Sequence, residues 1–312
     1  MSREKMKLAY RAEAALVWLL IRALRPFSPV NASRIGSTVA GVIGPLIPAS
    51  KTADKNLRLA MPELNAAQRR QIIKECWQNL GQTAAELVRI GEIQEIPLDA
   101  PGPGYTMIGW NEHVAPSVAA AKAADKPTIF FTGHIGNWEI SPPSAFAHGV
   151  DIGYMYRAAS NPLVNDMIMQ LRESNFKRKV TMFPKGGPGA RQAYAHLLKG
   201  GHLGLLVDQK LDTGLPIPFF GHTAMTMDAL ASFALRFQCP VIPSYVERIA
   251  PARLLVICEA PLPLPNTGDK QTDLIALTTH INQTLERWIR AKPGAWLWLH
   301  RRWPKGTEPV AK

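Results

Sequence analysis

Beyond residue 104 the chain alternates short apolar runs with longer amphipathic ones. The short runs, at residues 105–109, 128–132, 152–156, 180–183, 203–207, 241–246 and 254–258, read as strands. Helical spacing fills most of the gaps, at 112–124, 138–147, 162–176, 189–198 and 225–237, and a last helix covers about 270–290. This alternation predicts an α/β fold with a largely parallel central sheet flanked by helices. Upstream, residues 66–90 place Ile72, Ile73, Cys76, Trp77, Leu80, Ala84, Leu87 and Val88 at helical spacing. The Pro/Gly-rich segment 97–104 then breaks the pattern.

The N-terminus differs in kind. Residues 14–21 are an unbroken apolar run, preceded by Arg3, Lys5, Lys7 and Arg11 and followed by Arg22 and Arg25. Arg22-Ala23-Leu24-Arg25-Pro26 replaces the small residues of a signal-peptide cleavage site. A spanning helix needs about 20 mostly apolar residues. Residues 6–25 include Lys7, Arg11, Glu13, Arg22 and Arg25, so an interfacial helix or a marginal single anchor is expected. A second apolar stretch, 39–49, holds Gly41, Gly44, Pro45 and Pro48; it is expected to be a poor helix and a second membrane-facing piece. The expected organisation is therefore a membrane-associating helical segment over 1–50, followed by one α/β domain over 51–312.

Charge sharpens that picture. The 312 residues carry 36 Lys and Arg against 24 Asp and Glu, a formal net charge of +12. Such an excess faces something acidic: nucleic acid, an anionic membrane, or an acidic protein or substrate. The positive charge is clustered in 1–25, 157–199 and 286–312, whereas 76–156 is net acidic. No nucleic-acid-binding motif accompanies it, and neither a Gly-x-Gly-x-x-Gly nor a Walker loop occurs. Cys76, Cys239 and Cys258 are odd in number and widely separated, which fits a reducing compartment and neither a disulfide framework nor a zinc site.

The densest reactive cluster is Thr132-Gly133-His134-Ile135-Gly136-Asn137-Trp138-Glu139, at the end of an expected strand. Open α/β sheets present ligand-binding groups at the carboxyl ends of strands. His134 is the one histidine of eight with an acidic residue five positions on. A carboxylate at Glu139 could hold one imidazole nitrogen and leave the other as a base for a substrate hydroxyl.

These residues resemble the signature of the bacterial lipid A biosynthesis acyltransferases of the late lauroyl/myristoyl type, within the wider His-x4-Asp/Glu acyltransferase superfamily. The likeness extends over nearly the whole chain. It includes Asn56-Leu57 with Pro62-Glu63-Leu64, then Tyr156-Arg157 with Asn161-Pro162, and Gly204-Leu205-Leu206 with Asp208-Gln209. Pro218-Phe219-Phe220-Gly221, Pro240-Val241-Ile242-Pro243 with Arg248, Glu286-x-Trp288-Ile289-Arg290 and the Trp296 to Trp303 block follow in order. Phe183-Pro184-Lys185-Gly186 partly resembles the Phe-Pro-Glu-Gly loop of phosphate-glycerol acyltransferases, with Lys185 in place of the glutamate. A solvated loop lysine is expected there, with phosphate contact as the alternative.

The resemblance implies transfer of a fatty acyl chain from a thioester of acyl carrier protein, or of coenzyme A, to a hydroxyl of a lipid A precursor. It implies His134 as general base and Glu139 as its orienter. It further implies Arg157, Asp208, Gln209 and Asn137 as substrate-binding residues. No cofactor or metal is implied beyond the acyl thioester, and acyl carrier protein, anionic lipid and the precursor are the expected partners. The expected location is the cytoplasmic face of a bacterial inner membrane. The C-terminal Trp288, Trp296, Trp298 and Trp303 with Arg290, Arg301 and Arg302 resemble a membrane-interface composition, a core role for part of that set being the alternative. Two other readings stay open: the same chemistry on another glycolipid or phospholipid, and a non-catalytic lipid-binding protein.

Overall fold

The computed structural model describes residues 3–308. Four helices come first: α1 (Arg3–Leu24), α2 (Pro29–Ile43), α3 (Ala49–Ala60) and α4 (Ala66–Leu87). Strands and helices then alternate: β1 (Gly104–Ile108), α5 (Ala115–Ala123), β2 (Ile129–Thr132), α6 (Ser141–Ala147), β3 (Ile152–Tyr156), α7 (Pro162–Phe176), β4 (Met182–Pro184), α8 (Gly187–Leu198) and β5 (His202–Leu206). The chain closes with β6 (Lys210–Phe219), β7 (His222–Thr226), α9 (Ala229–Phe237), β8 (Val241–Ala250), β9 (Arg253–Cys258) and α10 (Lys270–Ala291).

Seven strands form one sheet in the order β1-β9-β8-β2-β5-β3-β4. The run β8-β2-β5-β3-β4 is parallel; β9 folds back antiparallel on β8, and β1 lies parallel to β9. The expected α/β class with a mostly parallel sheet is thus observed. On β2 the faces alternate. Ile129 and Phe131 join the main core with α8, α9 and α10, while Phe130 joins Val114, Ala145 and Ile152 on the opposite face.

The pair β6–β7, an antiparallel hairpin, departs from the sequence expectation. Pro216 and Pro218 suppress the strand signal in β6, and a hairpin outside the main sheet tolerates them because its outer edge needs no ladder donors. The expected helix from 225 consequently starts at Ala229, because Met225 and Thr226 complete β7.

The stretch expected to be a poor helix is largely helical: α2 runs to Ile43 and a 3-10 turn covers Gly44–Leu46. Tertiary packing reverses the local penalty. A Cβ on Gly36 would overlap the Gly81 carbonyl oxygen of α4, and one on Gly44 would overlap the Trp77 ring. The two helices meet backbone to backbone, so the glycines admit contact that larger residues would block. On the exposed side Val39, Val42, Ile43, Leu46 and Ile47 face outward. Along α1, Leu8, Leu16, Trp18, Leu19 and Leu20 do the same, while Asn161 at the start of α7 donates to Tyr10 O and Glu13 Oε2, each at 2.9 Å. Among the described residues no helix is long and apolar enough to cross a membrane.

The C-terminal tryptophans are core, which corrects the interfacial reading. Trp288, Trp296, Trp298 and Trp303 are all buried, and each indole N–H has an acceptor: Glu259, Asp208, Pro293 O and Phe219 O. Arg302 is buried too, donating to Met225 O and Thr226 Oγ1 and lying over the Phe219 ring. Burial pulls its guanidinium down to about 10, opposed by the charge of Asp208.

The α2–α4 contact makes a sign-specific prediction. Gly81→Ala should gain about 1 kcal/mol from helix propensity alone. Overlap with Gly36 and Ala40 should instead cost about 1–3 kcal/mol, so the variant should unfold at a lower temperature than the wild type. A higher Tm would refute the close packing.

Candidate functional site

The site forms where two neighbouring parallel strands end. Thr132 of β2 pairs with Leu206 of β5, and Val207 N donates to Thr132 O. Two residues past each of these strands stand His134 and Asp208. Asp208 Oδ1 accepts from His134 Nδ1 at 2.8 Å, and Oδ2 accepts from the His134 backbone N–H at 2.9 Å. Trp296 Nε1 donates to the same Oδ2 at 2.7 Å. Burial alone would raise the Asp208 carboxyl, but His134 and these donors hold it down at about 2. An ionised carboxylate on Nδ1 fixes the proton there in the neutral ring, leaving the lone pair on Nε2. Among the described residues nothing hydrogen-bonds Nε2. The ring also packs edge-on to Trp138, with centroids 4.9 Å apart.

The loop carrying His134 is clamped on all sides. Leu297 N donates to His134 O, and Gly136 N to Ala295 O, so the segment after α10 runs beside it as a strap. Asn79 Nδ2 and Thr83 Oγ1 of α4 both donate to Gly136 O. Gly136 has φ +59°, and a Cβ there would overlap the Val246 carbonyl. The position therefore requires glycine twice over, for conformation and for space.

Glu139 does not orient the imidazole, which corrects the expected pairing. It lies one turn beyond the loop, and its two oxygens accept from Arg172 Nε at 2.9 Å and Nη2 at 2.7 Å. A bidentate guanidinium pair occupies both carboxylate oxygens. Glu139 still acts on His134 through space. Burial disfavours the imidazolium, yet Asp208 first and Glu139 after it raise the His134 pKa above its ordinary 6.5. Arg172 was not legible as a site residue, since nothing in the sequence marks it as Glu139's partner from 33 positions away.

The remaining predicted residues separate. Arg157 and Gln209 line the same groove as His134, Glu139 and His300. Lys185 lines it as well, so it is not a free loop lysine; burial and then Arg157 lower its pKa. Asp208 holds the histidine, and its near-complete burial corrects the expectation that it binds substrate. Asn137 is corrected likewise. It is fully buried, donating to Glu86 Oε2 at 2.7 Å and accepting from Glu139 N at 3.1 Å, and so braces the loop from below.

Behind the groove lies a predominantly apolar cavity. It sits between the sheet face and α6–α7, walled by residues such as Phe130, Ile152, Phe176 and Val256. Trp138, Glu139, Met155, Tyr156 and Arg172 line both spaces and so form the wall between them. Among the described residues no cluster of three or more His, Cys, Asp or Glu side chains could hold a metal ion. The arrangement thus offers a base with an oriented lone pair, a cationic groove before it and an apolar space behind.

A raised His134 pKa means protonation favours the folded state. That contribution is complete below pH 6.5 and is lost as pH rises through the higher folded value. NMR titration of the imidazole should place its midpoint above 6.5, and Asp208→Asn should bring it down. Equal midpoints in the two proteins would mean that Asp208 does not control the ring.

No curated protein matched the chain. A profile described as bacterial lipid A biosynthesis acyltransferase matches residues 3–305. That match takes in the histidine loop, both walls of the groove and the C-terminal strap. The chain belongs to the bacterial lipid A biosynthesis acyltransferase family.

Proposed function

We propose that the protein transfers a fatty acyl chain from the thioester of acyl carrier protein to a hydroxyl of a lipid A precursor. The observation that carries this reading is His134, held by Asp208, in a cationic groove that shares a wall with an apolar cavity. An alkyl chain gains about 0.8 kcal/mol per buried CH₂, which suits the cavity. Arg157 and Lys185 suit the phosphates of an acceptor; a guanidinium grips phosphate bidentately and an ammonium acts as a point charge.

The proposed chemistry is general-base acyl transfer. Nε2 of His134 removes the proton of the acceptor hydroxyl while that oxygen attacks the thioester carbonyl. Asp208 stabilises the imidazolium so formed. The tetrahedral intermediate collapses, the C–S bond breaks, and the thiolate leaves with the proton returned from Nε2. In this scheme Glu139 adds negative charge beside the imidazolium, and its pair with Arg172 holds the wall between groove and cavity.

The same proposal puts the enzyme on the cytoplasmic face of an inner membrane. Supporting this are the exposed Leu16, Trp18, Leu19 and Leu20 of α1, with Arg11, Arg22 and Arg25 nearby, and the apolar tip at 39–47.

His134→Ala should lower turnover by about 10²–10⁴-fold while leaving the far-UV spectrum and vesicle binding unchanged. The assay pairs labelled acyl carrier protein with a lipid A precursor beside phosphatidyl acceptors and identifies the product by mass spectrometry. Wild-type turnover in the variant would sink the mechanism, and product on the phosphatidyl acceptors alone would sink the acceptor. Because the base must be neutral, activity should fall as pH drops through the raised His134 pKa, and Asp208→Asn should shift that limb to lower pH. Leu16→Asp with Leu20→Asp should weaken sedimentation with anionic vesicles; undiminished sedimentation would remove α1 from the membrane contact.

A further inference from the structure

Next to the apolar tip at 39–47 the chain builds a second basic feature, on α3. Lys51, Lys55 and Arg58 recur at helical spacing on its outer face, while Ala53, Asn56, Leu57 and Ala60 are buried. The buried Asn56 amide donates to Trp298 O at 2.8 Å and to His300 O at 2.7 Å. That clamp ties the C-terminal strap to α3. It sets Arg301 and Lys305 along one concavity with Lys51, Lys55 and Arg58.

Two carboxylates accompany these cations. Asp54 is engaged by Arg58 and Arg69, and Glu308 lies at the rim. Lys51, Lys55, Arg301 and Lys305 make no ion pair with any described residue. An adjoining hollow that shares Lys51, Lys55 and Arg58 adds Arg70 and Lys74. The face therefore keeps a large positive excess with little internal compensation.

Its position matters as much as its charge. His300 lines the catalytic groove and Arg301 lines the basic concavity, so one peptide step of the strap separates them. Nor does the face resemble a bilayer contact. From Pro48 to Ala60 no large apolar side chain is exposed, and none is exposed from Trp296 to Glu308. Anionic-membrane contacts interleave cations with exposed apolar groups; here Leu46 and Ile47 border the start of α3, and within the face itself no large apolar side chain is exposed.

We infer that the face formed by α3 and the C-terminal strap, centred on Lys55 and Lys305, docks the acidic protein that carries the acyl thioester. The inference rests on the proposed acyl transfer and adds the surface on which the carrier docks. A carrier seated there by charge complementarity could pass its flexible thioester arm over the strap at His300 to reach His134. Charges of this kind govern encounter and salt dependence more than the chemical step.

The test uses the full-length protein with Lys55→Glu and Lys305→Glu together. Lys199→Glu with Lys270→Glu, an equal charge change on exposed positions elsewhere, is the control. Donors are acyl carrier protein and the same acyl chain on pantetheine, which lacks the acidic protein. For the α3–strap variant we expect KM for the carrier thioester to rise about tenfold or more, with kcat and KM for acyl-pantetheine unchanged. The control should match the wild type. Direct titration with fluorescent carrier protein should show the same loss of binding and a weaker salt dependence. An unchanged KM and binding for the carrier would overturn the docking face. An equal loss in the control, equal rises for both donors, or a parallel loss of vesicle binding would do so too. If the wild type uses neither donor, the acyl-transfer reading fails, and carrier titration alone still decides the docking face.

Discussion

A buried carboxylate, Glu86 of α4, is the point on which the arrangement turns. It is wholly excluded from water and accepts from Ser33 of α2, Asn137 of the histidine loop, Arg248 of β8 and the Ala252 backbone. An ion in that position costs several kcal/mol of lost hydration, and only a full set of donors offsets it. The donors come from four places in the chain. The carboxylate is satisfied only when α2, the sheet and the loop are assembled together. Removing one partner would strand a charge, which typically costs about 3–5 kcal/mol. The N-terminal helices are joined to the histidine loop through this residue.

A second buried carboxylate works on the same loop from the other side. Asp208 joins β5, the histidine loop and the strap through His134 and Trp296. The loop is held from below by Glu86 through Asn137 and from the strap side by Asp208. The His134 imidazole therefore needs no flexible adjustment to keep its tautomer. Its orientation is a consequence of two charges that could not be buried otherwise.

The sequence carried the sheet well, because β2, β3 and β5 are short apolar runs between helices and apolar runs are visible locally. It carried the histidine for the same reason, as a polar residue between glycines at a strand end. It misdirected the choice of partner. Glu139 is close in sequence, and proximity along the chain is what a linear pattern can register. Asp208 is 74 positions away and becomes a neighbour only because β5 lies beside β2. Strand order is not written in periodicity. Arg172 escaped notice on the same grounds. The C-terminal tryptophans were ambiguous for a different reason: Trp beside Arg fits a bilayer surface or a core with satisfied N–H groups, and only packing separates the two.

Charge was legible as a total but not as a function. Once the structure divides it, each part has a different environment. Arg302 is buried against Phe219, Arg248 neutralises Glu86, and Arg172 neutralises Glu139. These cations balance interior carboxylates or pack in the core, so they cannot attract a partner from solution. Arg157 and Lys185 line the groove, where burial and then Arg157 disfavour the charge of Lys185. Other cations face solvent, among them those on α3, the strap and α1 and those at Lys199 and Lys270. The net +12 therefore divides between cations that balance carboxylates or pack in the interior and cations that line the groove or face solvent.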